Sequence, residues 1–143
     1  MGVWDSLPRK EKNLSTWYSS HTPKDWRFIY EVRFRPEDLW CYVGGVPTYE
    51  EHCRWMEGKD YWVARGVFGG VVGGDLRVGV HWQWRGRGFG SGMVMYLKGL
   101  FPEATSKIVR GNEVSLKMMR SCGYEVYAED ELLLYVRPQQ KTP

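Results

Sequence analysis

The stretch that decides the fold reads Val80-His81-Trp82-Gln83-Trp84-Arg85-Gly86-Arg87-Gly88-Phe89-Gly90-Ser91-Gly92. Its second half alternates glycine with other residues, two of which are arginines. A pyrophosphate needs several main-chain N–H donors that converge at a helix N-terminus, and only glycine lets a backbone turn and approach so closely. The stretch therefore predicts a phosphate-binding turn. A basic turn, or a nucleic-acid contact of the arginine-glycine type, is the alternative interpretation of this short motif.

The segments on either side of this turn have the patterns that such a site requires. Before it, β-branched and aromatic residues punctuated by glycines predict three antiparallel strands at 61–65, 67–72 and 76–81. After it, Met93, Leu97 and Leu100 recur at helical spacing until Pro102. A strand therefore enters the glycine turn, and an amphipathic helix leaves it.

Further alternation follows towards the carboxyl end. The pattern predicts a strand at 106–110, a helix marked by Val114, Met118 and Cys122 and ended by Gly123, and two closing strands at 124–127 and 132–136.

Towards the amino end, alternation predicts a first strand at 28–34, followed by a short helix that begins at Pro36. Thr48 and Glu51 have the spacing of a capping box and predict a second helix that runs to Gly58. Residues 1–27 have no sustained period and are predicted to form an arm, whose tryptophans anchor it either to the domain or to a partner.

The composition describes a folded single domain. The chain has 143 residues, of which 43% are hydrophobic, 15% aromatic and 26% charged, so a disordered chain is excluded. From Leu76 to Ser121 there are eight Lys or Arg against only Glu103 and Glu113, which favours an anionic ligand.

Leader, membrane and metal signals are absent from the sequence. The first twenty residues have no apolar core of signal-peptide length, and no apolar run would span a bilayer, so we expect a cytoplasmic protein with no membrane partner. The three cysteines Cys41, Cys53 and Cys122 are odd in number and widely spaced, which predicts reduced thiols and no metal site.

The order of elements and the two motifs resemble the GNAT superfamily of N-acetyltransferases over residues 28–137. Arg85, Gly88 and Gly90 fill the family's acyl-CoA pattern of Gln or Arg, two residues, Gly, one residue, then Gly or Ala. Asn112, Gly123 and Tyr124 match a second motif, which places an Asn before the next helix and a Gly-aromatic pair after it.

The resemblance implies an α/β (α+β) fold. Its mostly antiparallel sheet of six to seven strands would carry helices on both faces and a V-shaped splay between the fourth and fifth strands. The domain would span 28–137, between the arm at 1–27 and a tail at 138–143. The implied acyl donor is acetyl-CoA, whose contacts would come from the following residues: Val80, Arg85, Gly86, Arg87, Gly88, Phe89, Gly90, Ser91 and Asn112. A main-chain N–H of Val80 or His81 would polarise the acyl carbonyl.

The chemistry implied is transfer of an acetyl group to an amine. His81 would deprotonate the amine directly or through water, or else it is a packed or solvent-facing strand histidine. Asn112 is either a local structural residue or a cofactor contact. Family enzymes often carry a Tyr acid seven residues after the Asn, where this chain has Met119, so Tyr124, Tyr127 or water would supply the proton.

Two functions follow from these observations. The first is an acetyl-CoA-dependent N-acetyltransferase that acts on a small-molecule or protein amine. It would be a monomer or a homodimer, with Trp82 and Trp84 as walls of the acceptor pocket. Its mild net charge of +3 argues against binding to nucleic acid. The alternative, motivated by Met119 and the arm, is a GNAT-like structural or interaction protein, for example a component of a phage particle, that binds a partner through the arm.

Overall fold

The computed structural model describes residues 18–42 and 44–140. Within them lie four α-helices: α1 (Trp26–Arg33), α2 (Tyr49–Met56), α3 (Phe89–Leu100) and α4 (Glu113–Ser121). The strands are β1 (Ser19–Ser20), β2 (Asp60–Ala64), β3 (Val67–Val72), β4 (Asp75–Val80), β5 (Ser106–Val109), β6 (Tyr124–Glu129) and β7 (Leu133–Pro138). Short 3₁₀ helices occupy Pro23–Asp25, Pro36–Cys41 and Trp82–Trp84. None of the helices described is long and apolar enough to cross a bilayer.

The strands form two sheets that meet at one point. Antiparallel pairing orders the first sheet β1-β2-β3-β4 and the second β5-β7-β6. The only bridge between them in the described part of the chain is parallel and joins Asp75 to Thr105. There the Leu76 N–H donates to the Thr105 carbonyl at 2.7 Å, and the buried Ser106 hydroxyl donates to the Leu76 carbonyl at 2.7 Å. β4 and β5 therefore touch where they begin and separate afterwards.

This arrangement confirms the mixed α/β class with mostly antiparallel strands, and the divergence of β4 and β5 is the predicted splay. The single sheet that was expected is instead two sheets of four and three strands, because the bridge at Asp75 and Thr105 does not extend into a ladder.

Each face of the first sheet has its own core. The side chains of adjacent residues in a strand point to opposite faces. Val67 accordingly joins the cluster around Met93 and Leu97 of α3, whereas Phe68 joins the cluster around Ile29 of α1. Helices therefore cover both faces of this sheet, as predicted.

A glycine in β3 allows α3 to pack closely on the sheet. A Cβ at Gly69 would lie 2.5 Å from Met93 Cγ and 2.9 Å from Leu97 Cδ1. These distances are well inside van der Waals contact, so any larger residue at Gly69 would push α3 away from the sheet.

The predicted strand at 28–34 is wrong, because these residues form most of α1. Aromatic and β-branched residues resemble a strand there, but the buried pair Ile29 and Val32 has helical spacing. The start signal precedes the pattern: the Thr22 N–H donates to Asp25 Oδ2 at 2.8 Å, with Pro23 between them.

The remaining elements agree closely with the sequence. The three strands before the glycine turn, the helix after it, the strand that follows and the last helix are confirmed to within about a residue or two. The Thr48 capping box is present, with the Glu51 N–H donating to Thr48 Oγ1 at 3.2 Å. Of the predicted arm, residues 18–27 contribute β1 and the start of α1, while residues 1–17 lie outside the described residues.

Candidate active site

The glycine turn leads directly into an open helix N-terminus. Gly86 and Gly88 have positive φ angles of 76° and 83°, which glycine adopts without strain, and Gly88 is the N-cap of α3. The first helical bond runs from the Gly92 N–H to the Gly88 carbonyl at 3.0 Å. In the described part of the chain, the N–H groups of 88–91 donate to no main-chain or side-chain acceptor. These four donors and the positive end of the helix dipole form a site suited to an anion.

Gly90 holds this helix end against the last residue of β4. A Cβ at Gly90 would lie 2.8 Å from Met118 Sδ and 3.1 Å from Val80 Cγ2. The missing side chain therefore lets the start of α3 sit between β4 and α4. The free N–H groups at the start of α3 therefore lie next to the Val80 end of β4, where the splay is open.

The main-chain donor that faces the splay belongs to Val80. The His81 N–H donates to the Gly66 carbonyl at 2.8 Å, so Val67 and Val80 form a non-hydrogen-bonded pair. In such a pair the main-chain N–H and C=O groups point away from the partner strand. The Val80 N–H therefore points to the side on which β5 diverges, while the His81 N–H is already used within the hairpin.

The His81 side chain caps the turn that follows β4. Its Nδ1 accepts the Gln83 N–H at 3.1 Å, and its ring stacks on Trp82, with a centroid distance of 3.9 Å. Because Nδ1 is the acceptor, the neutral ring carries its proton on Nε2. Burial lowers the pKa of His81, and the nearby Arg35 and Arg85 lower it further, with Glu31 opposing them. The neutral His81 ring can accept a proton only at Nδ1, and that atom already accepts the Gln83 N–H.

Arg85 is turned away from the helix N-terminus. Its Nε donates to the Val80 carbonyl at 3.1 Å, and its Nη2 donates to Asp38 Oδ2 at 2.8 Å. The hydrogen bond from Arg85 holds the pKa of Asp38 below its ordinary value. Arg85 therefore ties the end of β4 to the 3₁₀ helix at Pro36–Cys41.

Arg87 and Trp84 complete the glycine turn. The Arg87 guanidinium lies over the Trp84 ring, 4.9 Å from its centroid, and Trp84 makes an edge contact with Phe89 at 5.7 Å. Trp84 also packs on Gly66, where a Cβ would collide with its ring. No ion pair of Arg87 occurs within the described residues, so its charge is available beside the helix end.

Two predicted site residues, Asn112 and Tyr124, and Met119 at the position of the family's Tyr lie in structural positions. Asn112 caps α4, because its Oδ1 accepts the Ser115 N–H at 3.3 Å. Met119 is a core residue, 3% exposed. Tyr124 is 1% exposed; burial raises its pKa to about 12, and its hydroxyl has no partner in the part of the chain described. Neither Met119 nor Tyr124 therefore presents an exposed group that could protonate the departing thiolate.

A pocket opens beside Trp82, one residue past His81. It has a volume of about 410 Å³ and is formed by α1, the start of the 3₁₀ helix at Pro36–Cys41 and Trp82. Its lining residues are Arg27, Tyr30, Glu31, Phe34, Arg35, Pro36, Glu37 and Trp82. Trp82 thus lines this pocket, whereas Trp84 belongs to the glycine turn.

The charged residues of α1 in this pocket were missed in the sequence. Arg27 and Glu31 are four residues apart and lie on one face of α1, and Arg35 follows two residues after the helix ends. The strand assigned at 28–34 concealed that spacing. Among the described residues, no group of three or more His, Cys, Asp or Glu side chains could hold a metal ion.

Comparisons with known proteins agree with this geometry. No family model matches the chain, and no curated protein matches it by sequence. A Salmonella typhimurium protein described as an acetyltransferase and solved with acetyl-CoA has a TM-score of 0.71 at 16% identity, covering 88% of this chain and 96% of that one.

Two further solved structures have a similar fold with somewhat lower TM-scores. A GNAT-family acetyltransferase from Bacillus anthracis has a TM-score of 0.66 at 14% identity, covering 83% of this chain and 91% of that one. The ribosomal-protein-S18-alanine N-acetyltransferase of Escherichia coli has a TM-score of 0.61 at 11% identity, covering 88% and 95%. Together with the splay and the glycine turn, these matches show that the chain has the fold of the GNAT N-acetyltransferases.

Proposed function

We propose that the chain is an acetyl-CoA-dependent N-acetyltransferase. The observation that carries the proposal is the open N-terminus of α3 beside the splay of β4 and β5, where four N–H donors have no acceptor among the residues described. A Cβ at Gly86 or Gly88 would meet nothing within 4 Å, so the turn has room for a bulky anion on its outer side. Donors, dipole and space together fit the pyrophosphate of coenzyme A.

Each part of the site then has one task. The N–H groups of 88–91 bind the pyrophosphate, and Arg87 adds charge from the side. Acetyl-CoA supplies a thioester carbonyl when it is bound. The Val80 N–H points into the splay, where it can donate to that carbonyl oxygen as negative charge develops. The pocket beside Trp82 holds the amine against the same end of β4.

The proton leaves the amine through water. His81 can accept it only if Nδ1 gives up the Gln83 N–H, since the neutral tautomer has its proton on Nε2. Water also serves the departing thiolate, because Met119 has no proton to donate and the Tyr124 hydroxyl is buried.

Titration calorimetry with acetyl-CoA tests the binding half of this proposal. We expect saturable binding that Gly88→Glu weakens by about tenfold or more, because the new carboxylate would lie beside the pyrophosphate. Equal binding by the wild type and Gly88→Glu, or no binding at high micromolar ligand, would refute it. A thiol-release assay over a panel of amines then measures turnover and acceptor class together.

A non-catalytic function is the second candidate, favoured by the burial of Met119 and Tyr124. In that case the fold would serve as part of an assembly, such as a phage particle, and the part of the predicted arm that precedes β1, residues 1–17, would bind the partner. Acetyl-CoA binding without thiol release from any amine would support this candidate. Deletion of residues 1–17 that leaves the pull-down partners and the light-scattering mass unchanged would count against it.

A further inference from the structure

Three charged side chains, two on the exposed face of α1 and one just past its C-terminus, line the pocket beside Trp82. Arg27 and Glu31 lie one helical turn apart on α1, with Cβ atoms about 5–6 Å from each other, and Arg35 follows the end of the helix at Arg33. Because Arg27 and Glu31 share one helix, their spacing is fixed before any ligand arrives. The pocket therefore has a defined charge pattern, cation-anion-cation.

The charge of Arg35 is already balanced. Its Nε lies 2.6 Å from Glu37 Oε2, its Nη1 lies 3.7 Å from Asp38 Oδ2, and its guanidinium lies over the Trp82 ring, 4.4 Å from its centroid. Arg35 thus belongs to the wall of the pocket and has little capacity left for a ligand.

Glu31 and Arg27 differ from Arg35 in this respect. Neither forms an ion pair with any residue in 18–42 or 44–140, including each other. The Arg27 guanidinium is held over the Tyr49 ring, 3.7 Å from its centroid, which fixes its direction while leaving its charge unneutralised. One anion and one cation, a helical turn apart, therefore face the pocket, and no oppositely charged side chain of the described ranges pairs with either.

We propose that this face of α1 selects a zwitterionic acceptor, an α-amino acid with an apolar side chain. The acceptor's ammonium binds Glu31, its carboxylate binds Arg27, and its side chain lies on Phe34 and Trp82. This inference rests on the proposed acetyltransferase function and names its substrate class.

The position of Glu31 supports the orientation. Its carboxylate is close enough to His81 to oppose, electrostatically, the effects of burial and of the two arginines on that ring. An ammonium on Glu31 would therefore lie in the pocket that Trp82 lines, one residue past His81 at the end of β4. The carboxylate, bound one turn earlier by Arg27, then points away from the reacting nitrogen.

The size and lining of the pocket support the apolar side chain. A volume of about 410 Å³ exceeds that of an amino and a carboxylate group alone, and the surface between Glu31 and the 3₁₀ helix is formed by Tyr30, Phe34, Pro36 and Trp82. Small sites gain affinity mostly by covering apolar area, with a few polar groups that set orientation.

The experiment compares L-phenylalanine with L-phenylalaninamide, which keeps the ammonium and the ring but has no carboxylate. Ligand-observed NMR at mildly acidic pH, where both carry the ammonium, measures binding to the full chain without acetyl-CoA. Thiol release with acetyl-CoA measures KM and kcat for each acceptor. The variants are Arg27→Gln and Glu31→Gln. Charge-matched controls are Arg54→Gln on α2 and Glu57→Gln at its C-cap, two exposed residues.

We expect the wild type to bind phenylalanine about tenfold or more tightly than its amide, since one charged contact distinguishes them. Arg27→Gln should abolish that preference while leaving binding of the amide unchanged, and Glu31→Gln should weaken both ligands. The two control variants should behave as the wild type.

Two results would overturn the inference. One is equal binding of acid and amide by the wild type, or preference for the amide, which would indicate a peptide N-terminus or a simple amine. The other is an acid preference that persists in Arg27→Gln. Because NMR binding does not need the acyl donor, failure of acetyl-CoA to bind in calorimetry would reject the proposed function separately.

Discussion

Replacement of Gly88 separates the two properties assigned to the glycine turn, backbone conformation and anion binding. Gly88 has φ of 83°, and a Cβ there would meet no atom within 4 Å. Gly88→Ala therefore adds conformational strain without a collision, and we expect the free energy of unfolding to fall by about 1–2 kcal/mol. For a chain of this size the Tm should fall by roughly 2–4 °C for each kcal/mol.

Gly88→Glu adds the same strain and a negative charge at the N-terminus of α3. The charge interacts favourably with the helix dipole and offsets about 0.3–1 kcal/mol of the strain, so this variant should be more stable than Gly88→Ala. Its affinity for acetyl-CoA should nevertheless be lower than that of Gly88→Ala, by about tenfold or more. The order of the two variants is therefore opposite for stability and for binding.

Gly99→Ala is the matched control on the same helix. Gly99 is exposed, has an ordinary φ and faces open space, so alanine should stabilise the protein by roughly 0.5–1 kcal/mol and leave acetyl-CoA binding unchanged. Urea unfolding gives the stabilities, and titration calorimetry gives the affinities. The reasoning fails if Gly88→Ala is as stable as the wild type, or if Gly88→Glu binds acetyl-CoA as tightly as Gly88→Ala.

Three further outcomes are expected. Tyr124→Phe removes a buried hydroxyl without a partner, so urea unfolding should show unchanged stability or a gain of about 1 kcal/mol, and any loss of thiol release would show that Tyr124 is the acid after all. NMR of His81 should show the Nε2–H tautomer and a pKa below about 6.5. The contribution of the neutral ring to stability is then complete above that pH and is lost as the pH falls. An Nδ1–H tautomer would contradict the hydrogen bond from the Gln83 N–H. Asp38→Asn should lower the free energy of unfolding by at most about 1 kcal/mol above pH about 4, because the ion pair with Arg85 is partly exposed. The difference from the wild type should vanish as the pH falls through the lowered pKa of Asp38. A stability difference that is the same at every pH would exclude the ion pair as its source.

The sequence predicted those parts of the site that depend on local chemistry. A positive φ at Gly88 and the cap of α2 by Thr48 follow from residue types at fixed spacing, and both are present. The strand before the glycine turn and the helix after it were predicted for the same reason, since each has an uninterrupted period.

Other parts depend on contacts that no local pattern records. Arg85 was expected at the phosphates, but its direction is set by Asp38, a residue 47 positions earlier. The His81 tautomer is likewise set by a single N–H of the following turn. The acceptor side was missed for a different reason: α1 is short and rich in aromatic and β-branched residues, so packing against β3 and β4 overrides its strand-like composition.

The separation of β4 from β5 leaves main-chain polar groups unpaired along an inner border of the fold. A sheet edge of this kind normally invites another strand, and proteins protect such edges from aggregation by making them short or covering them. Here the two sheets touch at the Asp75–Thr105 bridge, and the gap between β4 and β5 opens towards Val80. We expect a gap closed at one end to accept an extended chain more readily than the edge of another protein's sheet.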